Sequence, residues 1–221
     1  MKWKVMKCVV DNLNRCPNNK HFAKTLLEML SKLRKNKFFN TAALLLEYSK
    51  YLGEISNLLD GDEEIIKEVV KAHFMESHIK SGGELSSFDI KFYPKGSGHQ
   101  VGTICDVLNG NKVIKYYIKT HQNGPSRNAS TSFSPPDAKE LFVYKLLELI
   151  GIGPIVDFIL PYHGSKRTIY IATKEVPLVL LSNLSKANAN NAALLQVDFV
   201  TRILCLHDTS TNEGNFGLVG N

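Results

Sequence analysis

Two stretches of this chain have the residue types and spacing needed to bind a phosphate. The first, "KGSGHQVG", places Gly96, Gly98 and Gly102 close together, and a glycine-rich turn lets backbone N–H groups approach an anion. The second, "VIKYYIKT", carries Lys115 and Lys119 four residues apart, and therefore on one face of a strand. A plain hairpin turn and surface lysines would give the same pattern, so the surrounding elements have to decide between the two interpretations.

Metal-binding motifs are not evident in the sequence. The four cysteines are widely scattered and form no CxxC pair, which argues against a zinc site: Cys8, Cys16, Cys105 and Cys205. His73 and His78 are five residues apart, the wrong spacing for one face of a helix.

The first 83 residues have the periodicity of about three helices. Asn40 is the predicted cap of the second helix and Asp62 that of the third, which the pair Gly82-Gly83 ends. In the first helix Phe22, Leu26, Leu30 and Leu33 recur at helical spacing. These elements predict a compact α-helical N-terminal region.

Beyond Gly83 the pattern becomes that of strands. "FDIKFYP", "VGTICDVL" and "VIKYYIKT" are strand-like, and Asn109-Gly110 marks a hairpin between the last two. Asp137 then opens the helix "AKELFVYKLLELI", which is apolar on nearly all sides and should be well buried. Two more strands and a last helix follow. This order predicts an antiparallel sheet with one inserted helix rather than a Rossmann-type fold.

The order of these elements resembles the N-terminal lobe and hinge of the protein kinase-like fold. The similarity is greatest to its phosphatidylinositol kinase-like, actin-fragmin kinase-like and HipA-like branches. It covers about residues 86–221 and rests on several short motifs in kinase order. It implies an α+β chain: a basic helical region over residues 1–83, then a kinase-like domain over residues 84–221. That domain would hold the sheet, the hinge and the start of a helical C-terminal lobe.

The resemblance implies how the chain would bind ATP. The turn at Gly96 and Gly98 would bring N–H groups to the phosphates. Lys119 is preferred to Lys115 as the phosphate lysine, because "YIK" stands where kinases carry "AIK". Glu140, early in the following helix, is the implied ion-pair partner of Lys119.

Two further acids and the hinge complete this expectation. Glu148 is a poorer partner for the lysine, because it lies near the C-terminal end of its helix, where an acid is unfavourable. Glu175 and Val176 follow the strand "IYIAT" and occupy the position of a hinge, whose backbone would bind the adenine edge.

The stretch "HDTSTNEGNFGLV" resembles a kinase-like catalytic loop. By this resemblance Asp208 is the base that accepts the proton of a hydroxyl nucleophile, and Asn215 holds Mg²⁺. The two are seven residues apart rather than five, and Ser210 stands where the base would be expected. Asn212 and Glu213 are alternative substitutes for it.

A second metal-binding Asp would lie beyond Asn221. The chain is therefore expected to be a fragment, a truncated product or a degenerate kinase, with weak or no phosphotransferase activity. The alternative is a non-catalytic binding or scaffold protein with a basic helical arm.

Charge and hydropathy limit the partners and the location. Residues 1–50 hold 11 Lys or Arg against 3 Asp or Glu, so the basic character belongs to the N-terminal helices. They could meet an acidic protein partner, whereas no interleaved aromatic residues support nucleic-acid binding. With neither a signal peptide nor a membrane-spanning run, an intracellular, cytoplasmic location is expected.

Overall fold

The computed structural model describes Lys4, Cys8, Asn12 and residues 19–56, 58–59, 61–96, 98–109, 111–126, 135–161, 168–180, 191–206 and 217–219. The chain is a mixed α+β protein that divides into two compact units, Met1–Lys174 and Glu175–Asn221. Among the described residues no helix is both long and apolar enough to cross a membrane.

The helices of the first unit are α1 (Asn19–Lys35), α2 (Ala42–Ser56), α3 (Glu63–Lys80) and α4 (Ala138–Leu149). Its strands are β1 (Phe88–Pro94), β2 (Gly102–Asn109), β3 (Lys112–Thr120), β4 (Val156–Ile159) and β5 (Tyr170–Lys174). In the second unit, β6 (Leu178–Leu180) pairs antiparallel with β7 (Gly217–Val219), and α5 spans Asn191–Ile203.

The five strands of the first unit form one antiparallel sheet in the order β1-β2-β3-β5-β4. The predicted hairpin is confirmed, because Asn109 lies opposite Lys112. Helix α4 is inserted between β3 and β4, as the sequence pattern predicts. Strand β5 pairs with β3, and β4 lies at the edge of the sheet.

Helices α1–α3 and the sheet share a single hydrophobic core. The rings of Phe74 on α3 and Tyr116 on β3 have centroids 4.6 Å apart, and Ile118 is 1% exposed on the same face of β3. We call this the helix-covered face. The boundary expected near residue 83 thus lies inside the first unit, and the N-terminal helices are part of its core.

Two of the three predicted helix N-caps are confirmed, and one is wrong. Asp62 and Asp137 accept hydrogen bonds from the backbone N–H groups two residues on, and so cap α3 and α4. The predicted cap of α2 at Asn40 is wrong. The Thr41 hydroxyl oxygen accepts from the N–H of Leu44 instead, at 3.3 Å, and the helix begins one residue later.

One expectation about burial, that for α4, is also wrong, and on α1 one residue of the apolar repeat is exposed. On α1, Leu26 and Leu30 of the repeat are buried, whereas Phe22 is 45% exposed and Ala23 is buried in its place (0% exposed). On α4 only Val143 is buried, and Phe142 and Leu149 are 60% and 73% exposed. Helix α4 therefore depends on polar contacts at its two ends more than apolar composition alone suggests.

A carboxylate is buried among α1, α2 and α3. Glu68 accepts two hydrogen bonds of 2.9 Å from Arg34 and one of 3.2 Å from Ser31, and it also accepts from the hydroxyl of Tyr48. Burial by itself would raise the pKa of Glu68, but the hydrogen bonds and charge of Arg34 outweigh burial, so the pKa is lowered. Glu68 thus joins the three helices as a charged, fully bonded group.

Candidate functional site

Lys119 lies near the end of the central strand, on the side of the sheet opposite helices α1–α3. Its neighbour Ile118 points into the core, so Lys119 points the other way, and we call that side the Lys119 face. Across the sheet Lys119 is paired with Gly102 on β2 and with Ile171 on β5. A side chain at Gly102 would collide with the backbone carbonyl of Ile118, so a glycine keeps the strands close at this point.

The ion pair predicted between Lys119 and Glu140 is present. The Lys119 ammonium lies 3.1 Å from Oε1 of Glu140, and the two side chains are 32% and 11% exposed. The same ammonium lies 5.2 Å from the ring centroid of Tyr144, one turn further along α4. Burial alone would lower the pKa of Lys119, but Tyr144 and Glu140 outweigh burial, so the pKa is raised and the lysine is charged at neutral pH.

The second carboxylate oxygen of Glu140 accepts a hydrogen bond from a backbone N–H group. Oε2 accepts a hydrogen bond of 2.6 Å from the N–H of Gln122, just after β3. Each carboxylate oxygen therefore has its own donor, one a charged side chain and one a main-chain amide. This arrangement fixes the start of α4 against the end of β3, and with it the position of the Lys119 ammonium.

The glycine turn joins β1 to β2 beside this ion pair. Gly98 has φ of +93°, a conformation that favours glycine, whereas space is open around Gly96. The Lys95 ammonium donates to the backbone carbonyl of Gln100 at 2.9 Å, across the turn. The Gln100 side chain in turn donates to the carbonyl of Gln122 at 2.7 Å.

Several residues on the Lys119 face were not recognised in the sequence. Tyr117 is 44% exposed two residues before Lys119, and it pairs across the sheet with Ile104 and Thr173. A sequence signal for Tyr117 existed, since period-2 alternation puts it on the face of Lys119. This row provides an aromatic and apolar surface next to the charged ammonium.

The competing residues have other roles. Lys115 pairs across the sheet with Asp106, and that carboxylate accepts from the Tyr93 hydroxyl at 3.0 Å. Glu148 accepts from Lys145 at 2.8 Å and from the N–H of Val156 at 3.1 Å, which fastens the end of α4 to β4. Lys119, rather than Lys115, therefore meets a glutamate of α4.

The other predicted site residues are only partly described. Glu175 and Val176 are the first residues of the second unit, directly after β5. Asp208 and Asn215 lie outside the described residues, and β7 begins two residues after Asn215. Among the described residues no three His, Cys, Asp or Glu side chains come together as a metal-binding group.

A small cavity of about 40 Å³ in the first unit lies elsewhere, on the helix-covered face beside His73 and Glu76. It is far smaller than the several hundred Å³ that a nucleotide-sized ligand needs. The chemistry of the Lys119 face is instead that of a surface site. The fixed Lys119 ammonium and the exposed Tyr117 ring lie on this face, and the glycine turn leads into the strand that carries Gly102 opposite Lys119.

Comparison of the chain with protein-family models, with curated proteins and with solved structures finds no match.

Proposed function

We propose that the first unit binds the phosphates of a nucleotide, with ATP the candidate, through the charged Lys119 and the glycine turn. The observation that carries this proposal is the Lys119–Glu140 ion pair at 3.1 Å. Glu140 holds the ammonium in place without using all its hydrogen-bonding capacity, because a lysine has three N–H donors and Glu140 accepts from one. Even with the Tyr144 hydroxyl as a second partner, one donor remains for a phosphate oxygen.

The order of the strands supports the same proposal. The glycine turn joins β1 to β2, Gly102 of β2 lies opposite Lys119, and the paired glutamate comes from the helix that follows β3. Tyr117 and Ile104 offer a surface on which a planar base could lie, because aromatic and apolar side chains favour such contacts. These elements follow one another along the chain in the order that kinase-like folds use to bind ATP.

The proposal covers binding, with weak or no phosphoryl transfer. Asp208 and Asn215, the residues that the resemblance assigns to the base and to Mg²⁺, lie outside the described residues. The described residues support the capture and orientation of phosphates alone.

Thermal unfolding in the presence of ligand tests this proposal. A ligand that binds only the folded chain stabilises it by mass action, so MgATP at about 100-fold above its Kd should raise the Tm by about 5–10 °C. Tripolyphosphate should give part of this rise and adenosine less, because the proposed contacts are to phosphates. No shift with millimolar MgATP would contradict the proposal.

A second candidate function is protein binding through the basic helices, without a nucleotide. Helix α1 exposes Lys20, Lys32 and Lys35 together with Phe22 and Met29. This basic and apolar surface has the character needed to bind an acidic protein partner. The absence of any nucleotide effect in the experiment above would favour this second function.

A further inference from the structure

The side chain of Gln100 contacts two residues of the segment that follows Lys119. Its Nε2 donates to the carbonyl of Gln122 at 2.7 Å, and its Oε1 lies 3.1 Å from the Thr120 hydroxyl, whose single proton is shared with the closer carbonyl of Pro125 at 2.7 Å. Thr120 is fully buried, so this contact is anchored at the end of β3. One carboxamide therefore uses both its donor and its acceptor to hold one short segment.

Backbone contacts reinforce the same connection. Gln100 forms an antiparallel bridge with Ser126, and the N–H of Val101 donates to the carbonyl of Pro125 at 3.3 Å. The Lys95 ammonium holds the carbonyl of Gln100 from the other side of the glycine turn. The C-terminal end of that turn is thus fixed to the segment after β3.

That segment carries the donor that positions Glu140. Gln122 accepts from Gln100 through its backbone carbonyl, and its backbone N–H, one Cα away, donates to Glu140 at 2.6 Å. Glu140 then binds Lys119 through its other oxygen. Three hydrogen bonds, linked by the backbone of Gln122 and the carboxylate of Glu140, therefore lead from the glycine turn to the lysine.

These hydrogen bonds matter for the position of helix α4. Only Val143 of the helix is buried, so apolar packing holds it weakly in place. Its hydrogen bonds to the backbone of the unit include one at each end, from Gln122 to Glu140 and from Val156 to Glu148. Loss of the Gln122 contact would release the end that carries Glu140.

We propose that Gln100 is a positioning residue that couples the glycine turn to the Lys119–Glu140 pair through the backbone of Gln122. A phosphate held by the turn would then also favour the paired, correctly placed lysine. The consequence for ligand affinity rests on the proposed nucleotide-binding function, whereas the positioning itself can be measured in the protein without ligand.

The test uses Gln100→Ala, with Gln100→Glu as a second variant. The glutamate side chain would keep the length and the acceptor for Thr120, but it would lose the donor to Gln122. His99→Ala is the matched control, since His99 is exposed in the same turn. The first readout is the backbone amide signal of Gln122 in a ¹H–¹⁵N spectrum of the ligand-free chain. A short hydrogen bond to a carboxylate moves an amide proton downfield.

We expect the Gln122 amide proton to move upfield in both Gln100 variants, in the same direction as in Glu140→Gln, and to stay in place in His99→Ala. The second readout is the Kd for MgATP, which should rise about tenfold in Gln100→Ala. An unmoved Gln122 amide in both Gln100 variants would overturn the inference, even if the wild-type chain binds ATP. An upfield shift in a chain that does not bind ATP would uphold the positioning and overturn only the nucleotide proposal.

Discussion

Replacing Glu68 with alanine should lower the free energy of unfolding by about 3–5 kcal/mol, the range for removing one partner of a buried ion pair. Glu68 and Arg34 have side chains that are each 11% exposed, and Arg34 makes two hydrogen bonds to the carboxylate. The variant would leave the Arg34 charge and the Tyr48 hydroxyl without their acceptor inside the helical core. Equilibrium urea denaturation measures the loss.

Glu64→Ala is the matched control for this change. Glu64 lies on the same helix and makes an ion pair of 2.7 Å with Lys67, but its side chain is 69% exposed. Exposed pairs contribute at most about 1 kcal/mol, so this variant should unfold at nearly the wild-type urea concentration. Equal losses in the two variants would contradict the role given to Glu68.

The Glu68 contribution should also depend on pH in a defined direction. The pKa of Glu68 is lowered in the folded chain, so its contribution is present above its unfolded pKa, about 4.3. This contribution to the free energy of unfolding is lost as the pH falls through the lower pKa that Glu68 has in the folded chain. The difference in unfolding free energy between wild type and Glu68→Gln should therefore be constant near neutral pH and narrow in acid.

Replacing Lys119 with methionine should weaken the binding of MgATP by about 10- to 100-fold, because hydrogen bonds to charged groups contribute about 1.5–3 kcal/mol. Methionine keeps much of the length of the lysine stem and removes only the charged donors. Glu140 would lose its charged partner, which should lower the stability of the fold, but it would retain its bond from the N–H of Gln122. Isothermal titration calorimetry with MgATP measures the change.

Lys115→Met is the control for the Lys119 variant. Lys115 lies on the same face of the same strand, but it pairs across the sheet with Asp106 and not with α4. Lys115 lies on the far side of Tyr117 from Lys119 and outside the proposed phosphate contacts, so its replacement should leave the Kd for MgATP within about twofold of wild type. A larger loss from Lys115→Met than from Lys119→Met would show that the phosphate contact belongs to Lys115.

The sequence alone was enough to predict those features that depend on local residue patterns or on the order of secondary-structure elements. Asp62 and Asp137 cap helices because their short carboxylates reach nearby N–H groups, whatever the tertiary fold. The choice of Lys119 and Glu140 followed from the resemblance of this strand, loop and helix to the order found in kinase-like folds. That order was enough to predict the ion pair, although not its function.

Other features depend on how surfaces meet, which one-dimensional patterns do not determine. Phe22 and Ala23 both fit a helical stripe, and only the docking of α1 decides which is buried. The bond from Gln122 to Glu140 uses a main-chain amide, which every residue but proline carries, so no residue type could signal it.

Glu68 is a different case, because a signal was present in the sequence. It lies three residues after Ile65 and four before Ala72, within the apolar face of α3. A carboxylate at that place predicts a buried partner, since an unpaired charge in a core is costly. Arg34, on a different helix, could be identified only once the helices were seen to pack.

The most direct test of the central claim uses an acyl-phosphate derivative of ATP, which transfers its acyl group to a lysine amine beside the bound phosphates. Peptide mass spectrometry then identifies the modified lysine. The account predicts that Lys119 is acylated and that excess ATP prevents it, while exposed lysines such as Lys20 and Lys32 react slowly and regardless of ATP. Acylation of the exposed lysines alone, or of Lys119 to the same extent with excess ATP, would contradict nucleotide binding at this site.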